Sequence, residues 1–410
     1  MTAVRKAALQ ETHDDPLVRI AENLEKLAAL KTGEGQQLSA TQMYRAQREA
    51  ERQLAASPIA PLLNDDSITD ILINSESEIY INRSGRLERT EMQFPDSESL
   101  LTLVETIAAS VGRRIDPERP MVDARLSDGS RVNVIAPPMA VKGIAISIRK
   151  FPKHEITLDS LVASGSMTKQ MADFLRLCAE CKVSLIVSGG TGTGKTTMLN
   201  AISQYIPDDE RIITIEDTAE LRLQQPHLVK LETKVPHIFG DRKSEVNATD
   251  LVRNALRMRP DRIIVGEVRG DEVFDMVQAM NTGHEGSMST IHANSPRDAL
   301  TRLENLLSPV MQNTPVSNIR RQIVSAIRLI VQLGYGKDGV RMITSITELV
   351  GMEGEIPTTQ EIFTVHEDTL TEPGKTKYIH KWTAIVPHHA KLTERAKAEG
   401  VFPHVQGAVL

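Results

Sequence analysis

The run Gly189-Gly190-Thr191-Gly192-Thr193-Gly194-Lys195-Thr196-Thr197 has the residue types and spacing of a phosphate cradle, G-x-x-x-x-G-K-[ST]. Glycines let a backbone curl until its N–H groups point at one anion, and a helix starting there adds favourable partial charge. Lys195 is placed to reach the β and γ phosphates of a nucleoside triphosphate, and the Thr196 hydroxyl to sit on Mg²⁺. A Gly-rich turn without a ligand is the alternative. The flanks argue against it, because the apolar strand Val183 to Val187 enters the loop and a helical stretch, Thr196 to Tyr205, leaves it.

Holding phosphate is not hydrolysis, which also needs a group to orient the attacking water and accept its proton. Two carboxylate clusters end apolar strands, where ligands of a parallel sheet bind. One is Thr214-Ile215-Glu216-Asp217-Thr218 and the other Ile263-Ile264-Val265-Gly266-Glu267. Where a Mg²⁺-holding Asp is common, this chain has Gly266, so the metal is expected to be held partly through water. Glu267 is the expected base and Glu216, assisted by Asp217, the metal or water partner; each could instead merely cap a strand.

Two histidines bracket the next strand. His292 is expected at the sheet edge where the γ phosphate is sensed, whereas His284 is open between that neighbourhood and a structural role. A His-Glu-His zinc site is disfavoured, since the spacing is not H-E-x-x-H. Positive charge against the γ phosphate supplies much of the rate of phosphoryl transfer. Arg113, Arg114, Arg119, Arg125, Arg131 and Arg149 form one candidate group and Arg257 and Arg259 another, with solvated surface positions as the plain alternative.

The elements that position these residues fall into an α/β plan. Residues 1–56 read as a helical segment, with Leu17, Ile20, Leu24 and Leu27 on one face and a second helix from about Ser39 to Ala56. Residues 57–150 read as a small α+β domain: short β-branched runs, a hairpin at Ser127-Asp128-Gly129-Ser130, and a helix capped by Asp96 and stopped near Gly112. Residues 151–160 form a linker. From 161 to 410 apolar strands alternate with helices, the mark of a mainly parallel sheet covered on both faces, with a more antiparallel tail.

Composition narrows the class. With 48 basic against 54 acidic residues, a net charge of −6, the chain has no overall field for a polyanion, and 13 aromatic residues give little to stack single-stranded nucleic acid on. No direct nucleic-acid partner is expected. Cys178 and Cys181 form a C-x-x-C without a second pair, so a buried helix end is favoured over redox or zinc chemistry, in a reducing compartment. No apolar stretch approaches the about 18 residues of a membrane span, and the N-terminus lacks a signal peptide's apolar core, so a cytoplasmic protein is expected.

The ordered set SGGTGTGKTT, RIITIEDTAEL, RMRPDRIIVGEVRG and NTGHEGSMSTIHAN resembles the secretion-superfamily traffic ATPases of type II and type IV secretion and type IV pili. The nearest look is to the tight-adherence (Tad/Flp) pilus ATPases of the CpaF/TadA type, over about residues 60–395. The resemblance implies a hexameric ring of subunits, each a PAS-like N-terminal domain joined by a mobile linker to a RecA-like motor domain, with ATP and Mg²⁺ bound between them. It makes Gly190, Thr191, Gly192, Thr193, Gly194, Lys195, Thr196 and Thr197 Walker A, places Glu216 and Asp217 in the Asp box, and makes Glu267 the Walker B glutamate. His284 and His292 fall in the His box, and Arg125, Arg131 and Arg149 match the arginine-finger region. Metal contacts are expected from Thr196, Glu216 and Glu267; the tetracysteine motif of some members is missing, so no zinc is expected. Inner-membrane platform proteins are the implied partners, with the chain peripheral at the inner face of that membrane. A type IV secretion or conjugation ATPase, a nucleic-acid translocase, a P-loop kinase and a non-hydrolysing scaffold are the alternatives.

Overall fold

The computed structural model describes residues 40–83, 86–151, 156–233, 245–337, 339–368 and 377–402, in two compact units that divide after His154. The helix expected around Leu17 to Leu27 lies outside the described residues.

In the first unit, α1 (Ala40–Ala56) and α2 (Ala60–Asn64) precede β1 (Ile68–Ser75), β2 (Glu78–Arg83) and β3 (Arg86–Arg89). Helix α3 (Ser97–Ser110) leads to β4 (Met121–Arg125), β5 (Arg131–Ile135) and β6 (Ala145–Arg149). Asp96 caps α3 as expected, its carboxylate accepting from the Ser99 N–H at 2.7 Å, and Gly112 takes the left-handed conformation just past its end. The strands form one antiparallel sheet, β3-β2-β1-β6-β5-β4. Alternation sends Ile71, Ile73, Val132, Val134, Ile146 and Ile148 to one face, where α3 covers them. Helix α1 packs along α3 and buries Ala50 and Leu54 in the same core, which gives this segment the neighbour its short length requires.

In the second unit, α4 (Leu158–Ala163) and α5 (Lys169–Glu180) lead into β7 (Leu185–Gly189), α6 (Lys195–Ser203), β8 (Ile212–Glu216) and β9 (Leu228–Glu232). Then come α7 (Ala248–Ala255), β10 (Arg262–Val265), α8 (Glu272–Asn281), β11 (Met288–His292), α9 (Pro296–Leu307) and α10 (Val316–Ala326). The tail is β12 (Leu329–Tyr335), β13 (Arg341–Glu353), β14 (Ile356–Asp368), β15 (Lys377–Trp382) and α11 (Ala390–Ala398). The sheet order is β15-β14-β13-β12-β7-β11-β10-β8-β9, parallel from β12 to β9 and antiparallel from β13 outward.

Buried on both faces, the central strands read as continuous apolar runs. Leu185 and Val187 point into a core with α5, α6 and α11, while Ile186, Ile213, Ile215, Ile263 and Val265 point into another with α7 to α10. Cys178 and Cys181 are buried in the first core, and burial pushes the Cys178 thiol well up, which leaves it inert at neutral pH. Among the described residues no helix is long and apolar enough to cross a membrane.

Candidate active site

Parallel register brings the C-terminal ends of β7, β11, β10 and β8 to one rim, and the chain's candidate chemistry converges there. The loop after β7 turns back on itself: Gly192 and Gly194 adopt φ of 74° and 94°, which side chains with a Cβ resist. Gly189 tolerates no Cβ either, since one would lie 2.5 Å from Thr193 Oγ1. The Thr193 hydroxyl donates to the Gly190 carbonyl at 2.9 Å and pins the curl, and α6 starts at Lys195 with its N-terminus facing the loop.

Lys195 is only 8% exposed. Its ammonium donates to the Gly190 carbonyl at 2.8 Å and to His292 Nδ1 at 3.3 Å. On the far side of the ring, His292 Nε2 lies 3.2 Å from Glu267 Oε1. One tautomer satisfies both contacts: neutral imidazole accepts from Lys195 at Nδ1 and donates from Nε2–H to Glu267. Burial and then the Lys195 charge hold His292 below its usual pKa, which favours the neutral ring. A cation, a neutral ring and a carboxylate thus stand in line across the loop mouth.

Glu267 is fixed through its neighbours. The Gly266 N–H donates to Ile215 O at 2.8 Å, Val268 N–H donates to Thr290 O at 3.0 Å, and the Thr290 hydroxyl donates to Gly266 O at 2.8 Å. The segment is therefore lashed to β8 and β11 on either side of the carboxylate. Beyond it, Glu272 accepts from the N–H groups of Arg269 and Gly270 and sets the next turn.

Glu216 sits beside Gly266, and a Cβ at Gly266 would lie 2.9 Å from its Cγ. A glycine there leaves room for this glutamate. Glu216 Oε1 accepts from the N–H groups of Glu220 and Leu221 at 2.9 and 3.0 Å, and Oε2 lies 3.3 Å from the Leu221 nitrogen. It is 6% exposed, and burial raises its pKa to about 7 despite those amides. Asp217 instead points outward, paired with Arg269 and accepting from the Thr233 hydroxyl at 3.1 Å.

The other sequence candidates separate cleanly. His284 lies before β11, at the end of that strand remote from His292, with its ring against Ala279 O at 3.3 Å. Arg257 and Arg259 precede β10 and so stand at the opposite rim from Glu267. In the first unit Arg125, Arg131 and Arg149 are aligned, Arg125 opposite Arg131 and Arg131 opposite Arg149, on the sheet face away from α3, with Asp70 next in the row. Arg113, Arg114 and Arg119 lie in the connection between α3 and β4. Arg269 was not singled out by the sequence pattern, although its place two residues after Glu267 could have marked it. Past His292, a cleft of about 410 Å³ continues along α9, lined by Asn294, Asp298, Thr301 and Arg302.

The glycine cradle and its lysine fit a triphosphate. For Mg²⁺ the donor set is sparse: among the described residues no group of three or more His, Cys, Asp or Glu side chains is arranged to hold a metal. Mg²⁺ usually keeps several waters and binds through substrate phosphates and one or two protein oxygens, so such a group is not required of it.

Residues 52–335 match the family model described as type II/IV secretion system protein. Among curated relatives, the type IV secretion system protein PtlH of Bordetella pertussis is 34% identical over 311 residues, covering 69% of this chain and 90% of its own length. The conjugal transfer protein TrbB of Rhizobium radiobacter is 33% identical over 298 residues, covering 71% and 86%. A crystal structure of the pilus retraction motor PilT with bound ADP, 19% identical, superposes with a TM-score of 0.53 over 72% of this chain and 83% of that one. At that identity the likeness speaks for the fold alone, and the fold is the RecA-like one.

Proposed function

The chain belongs to the type II/IV secretion system protein family, and on that premise we propose that it is an ATPase that hydrolyses ATP to ADP and phosphate and drives a secretion or pilus machine. The observation that carries this reading is the line Lys195, His292, Glu267 across the mouth of a glycine cradle. Loop amides hold the phosphates. Lys195 leaves the Gly190 carbonyl and His292 for the β and γ oxygens, and His292 stays against Glu267. A water oxygen attacks the γ phosphorus, its proton passes to Glu267, and the bond to the leaving ADP oxygen breaks. Thr196, with Glu216 and Glu267, would hold Mg²⁺, which when bound would supply charge neutralisation to the phosphates.

Arg125, Arg131 and Arg149 extend the proposal. Their place in the region that resembles the family's arginine fingers supports a role for them in stabilising charge on the γ phosphate. Single replacements then slow turnover while binding persists; three inert variants in a phosphate-release assay would remove the role. We propose a homo-hexamer docked on an inner-membrane platform protein at the cytoplasmic face, with mass photometry in the presence of nucleotide as the check on the ring. The motif set favours a Tad/Flp pilus system. The names of the relatives favour the second reading, a type IV secretion or conjugation ATPase.

The primary test is Lys195→Ala. Phosphate release should fall by at least about a hundredfold, with tripolyphosphate binding weakened in calorimetry. Normal turnover by this variant would sink the assignment.

A further inference from the structure

We propose that Tyr335 is the platform for the nucleoside end of the nucleotide, a contact that selects a nucleotide over bare phosphate at the site proposed above. The inference rests on that site, and it follows from the register of the three strands at the loop.

Strand β7 has a parallel neighbour on each side. Gly189 is opposite His292 of β11 on one flank and opposite Leu333 of β12 on the other. The reacting groups occupy the first flank, since Lys195 leans to His292 and His292 to Glu267. A triphosphate threaded through the loop must put its γ end there. Its other end, carrying ribose and base, then leaves across the β12 flank.

Strand β12 runs past Leu333 by two residues, and the second is Tyr335. A Cβ on Gly192 would lie 2.9 Å from the Tyr335 hydroxyl, so the phenol reaches over the crown of the loop. Tyr335 is 50% exposed, so much of this side chain is withheld from the core. With only 13 aromatic residues in 410, a half-exposed aromatic at the phosphate loop is a specific placement. The backbone that carries the ring is fixed by strand pairing and a turn. Tyr335 is opposite Arg341 on β13, and the turn between them closes with Gly336 N–H to Val340 O at 2.8 Å and Gly339 N–H to Gly336 O at 2.9 Å.

A flat, anchored, half-wet ring beside a phosphate cradle suits a nucleobase, whose π face stacks on aromatic side chains for about 1–3 kcal/mol by alanine substitution. At the rim of an open site the lower half of that range is appropriate, roughly a tenfold change in affinity.

The experiment compares ADP with inorganic tripolyphosphate by calorimetry on the full chain, for the unaltered protein, Tyr335→Ala and Tyr335→Phe. Tyr335→Ala should bind ADP roughly tenfold more weakly and tripolyphosphate unchanged, and Tyr335→Phe should restore ADP binding, since stacking needs the ring and not the hydroxyl. Equal loss of both probes in Tyr335→Ala would make the residue a support of the loop and overturn the inference. So would ADP binding unaffected by the alanine, or lost in the phenylalanine variant as fully as in the alanine one. In each of these cases binding by the unaltered chain leaves the proposed function standing. If the unaltered chain bound neither probe, the proposed function itself would fall and take this contact with it.

Discussion

Strand β8 carries a glutamate at each end, Glu210 just before it and Glu216 as its last residue, and the two are treated oppositely. Glu210 lies at the rim where the strands begin. Burial alone would raise its pKa, but the Arg262 guanidinium grips it at 2.7 and 2.8 Å, Lys182 adds charge at 3.3 Å, and the carboxyl is held below its ordinary range. Glu216, at the opposite rim, is pushed up by burial, and its hydrogen bonds come from the Glu220 and Leu221 backbone amides. At the first rim charges are spent on one another. At the second, Lys195, His292 and Glu267 are joined through a neutral ring at the mouth of a glycine cradle. Polar density alone does not mark a site; what marks it is whether the groups stand beside a cradle built for a ligand.

The sharpest way to break that contrast is Glu267→Gln. Loss of the base should cut phosphate release by about 10²–10⁴-fold in a steady-state assay, with ADP affinity and thermal midpoint near those of the unaltered chain. If turnover survived, the open rim would have another base and Glu216 would be the first to try. If stability fell with turnover, Glu267 would belong with the structural charges.

Glu210→Gln is the reciprocal test. Arg262 has no exposed surface, and its Nη1 already lacks a partner among the described residues, so removing the opposing charge strands a buried cation. Denaturant unfolding should show a loss on the order of 3 kcal/mol, while turnover per folded molecule stays close to normal. A variant as stable as the parent would mean that solvent reaches the guanidinium after all.

Much of the open rim was legible beforehand. The cradle is contiguous in sequence, and Glu267 and His292 each end an apolar run of strand length, so local pattern carries them. Asp96, Gly112 and the Ser127–Ser130 hairpin were legible for the same reason. The saturated rim was not: Arg262 and Glu210 are paired across 52 positions, and no local spacing announces it. The same limit left His284 open against His292, since only the bounds of β11 put them at opposite ends, and it let Arg257 and Arg259 pass as candidates. Strand β9 was missed because it is an edge strand, partly exposed, with Lys230 interrupting its apolar pattern. That Glu216 packs against Gly266, where an Asp is common, is a contact across strands that no local spacing shows. Tyr335 carried no motif at all.

The subtlest test compares how stability depends on pH at the two ends of β8. Glu216, with a folded pKa of about 7 and an ordinary unfolded one, binds more protons folded than unfolded across the interval between them. Its contribution to stability therefore falls as pH rises from about 4.5 to 7 and is level above. Glu210, whose pKa is lowered, runs the other way: its contribution is present above the ordinary carboxylate range and is lost as pH falls through the folded value. Glu216→Gln keeps an acceptor for the Glu220 and Leu221 amides and removes only the proton. Subtracting its thermal midpoints from those of the parent, at intervals between pH 5 and 8, should give a curve that descends to about pH 7 and then flattens, superposed on a constant offset from the amide. A flat difference would mean that water reaches Glu216 and that burial does not govern it. A rising one would mean an opposite charge at the carboxylate, and the open rim would then be neutralising its charges internally as the other rim does.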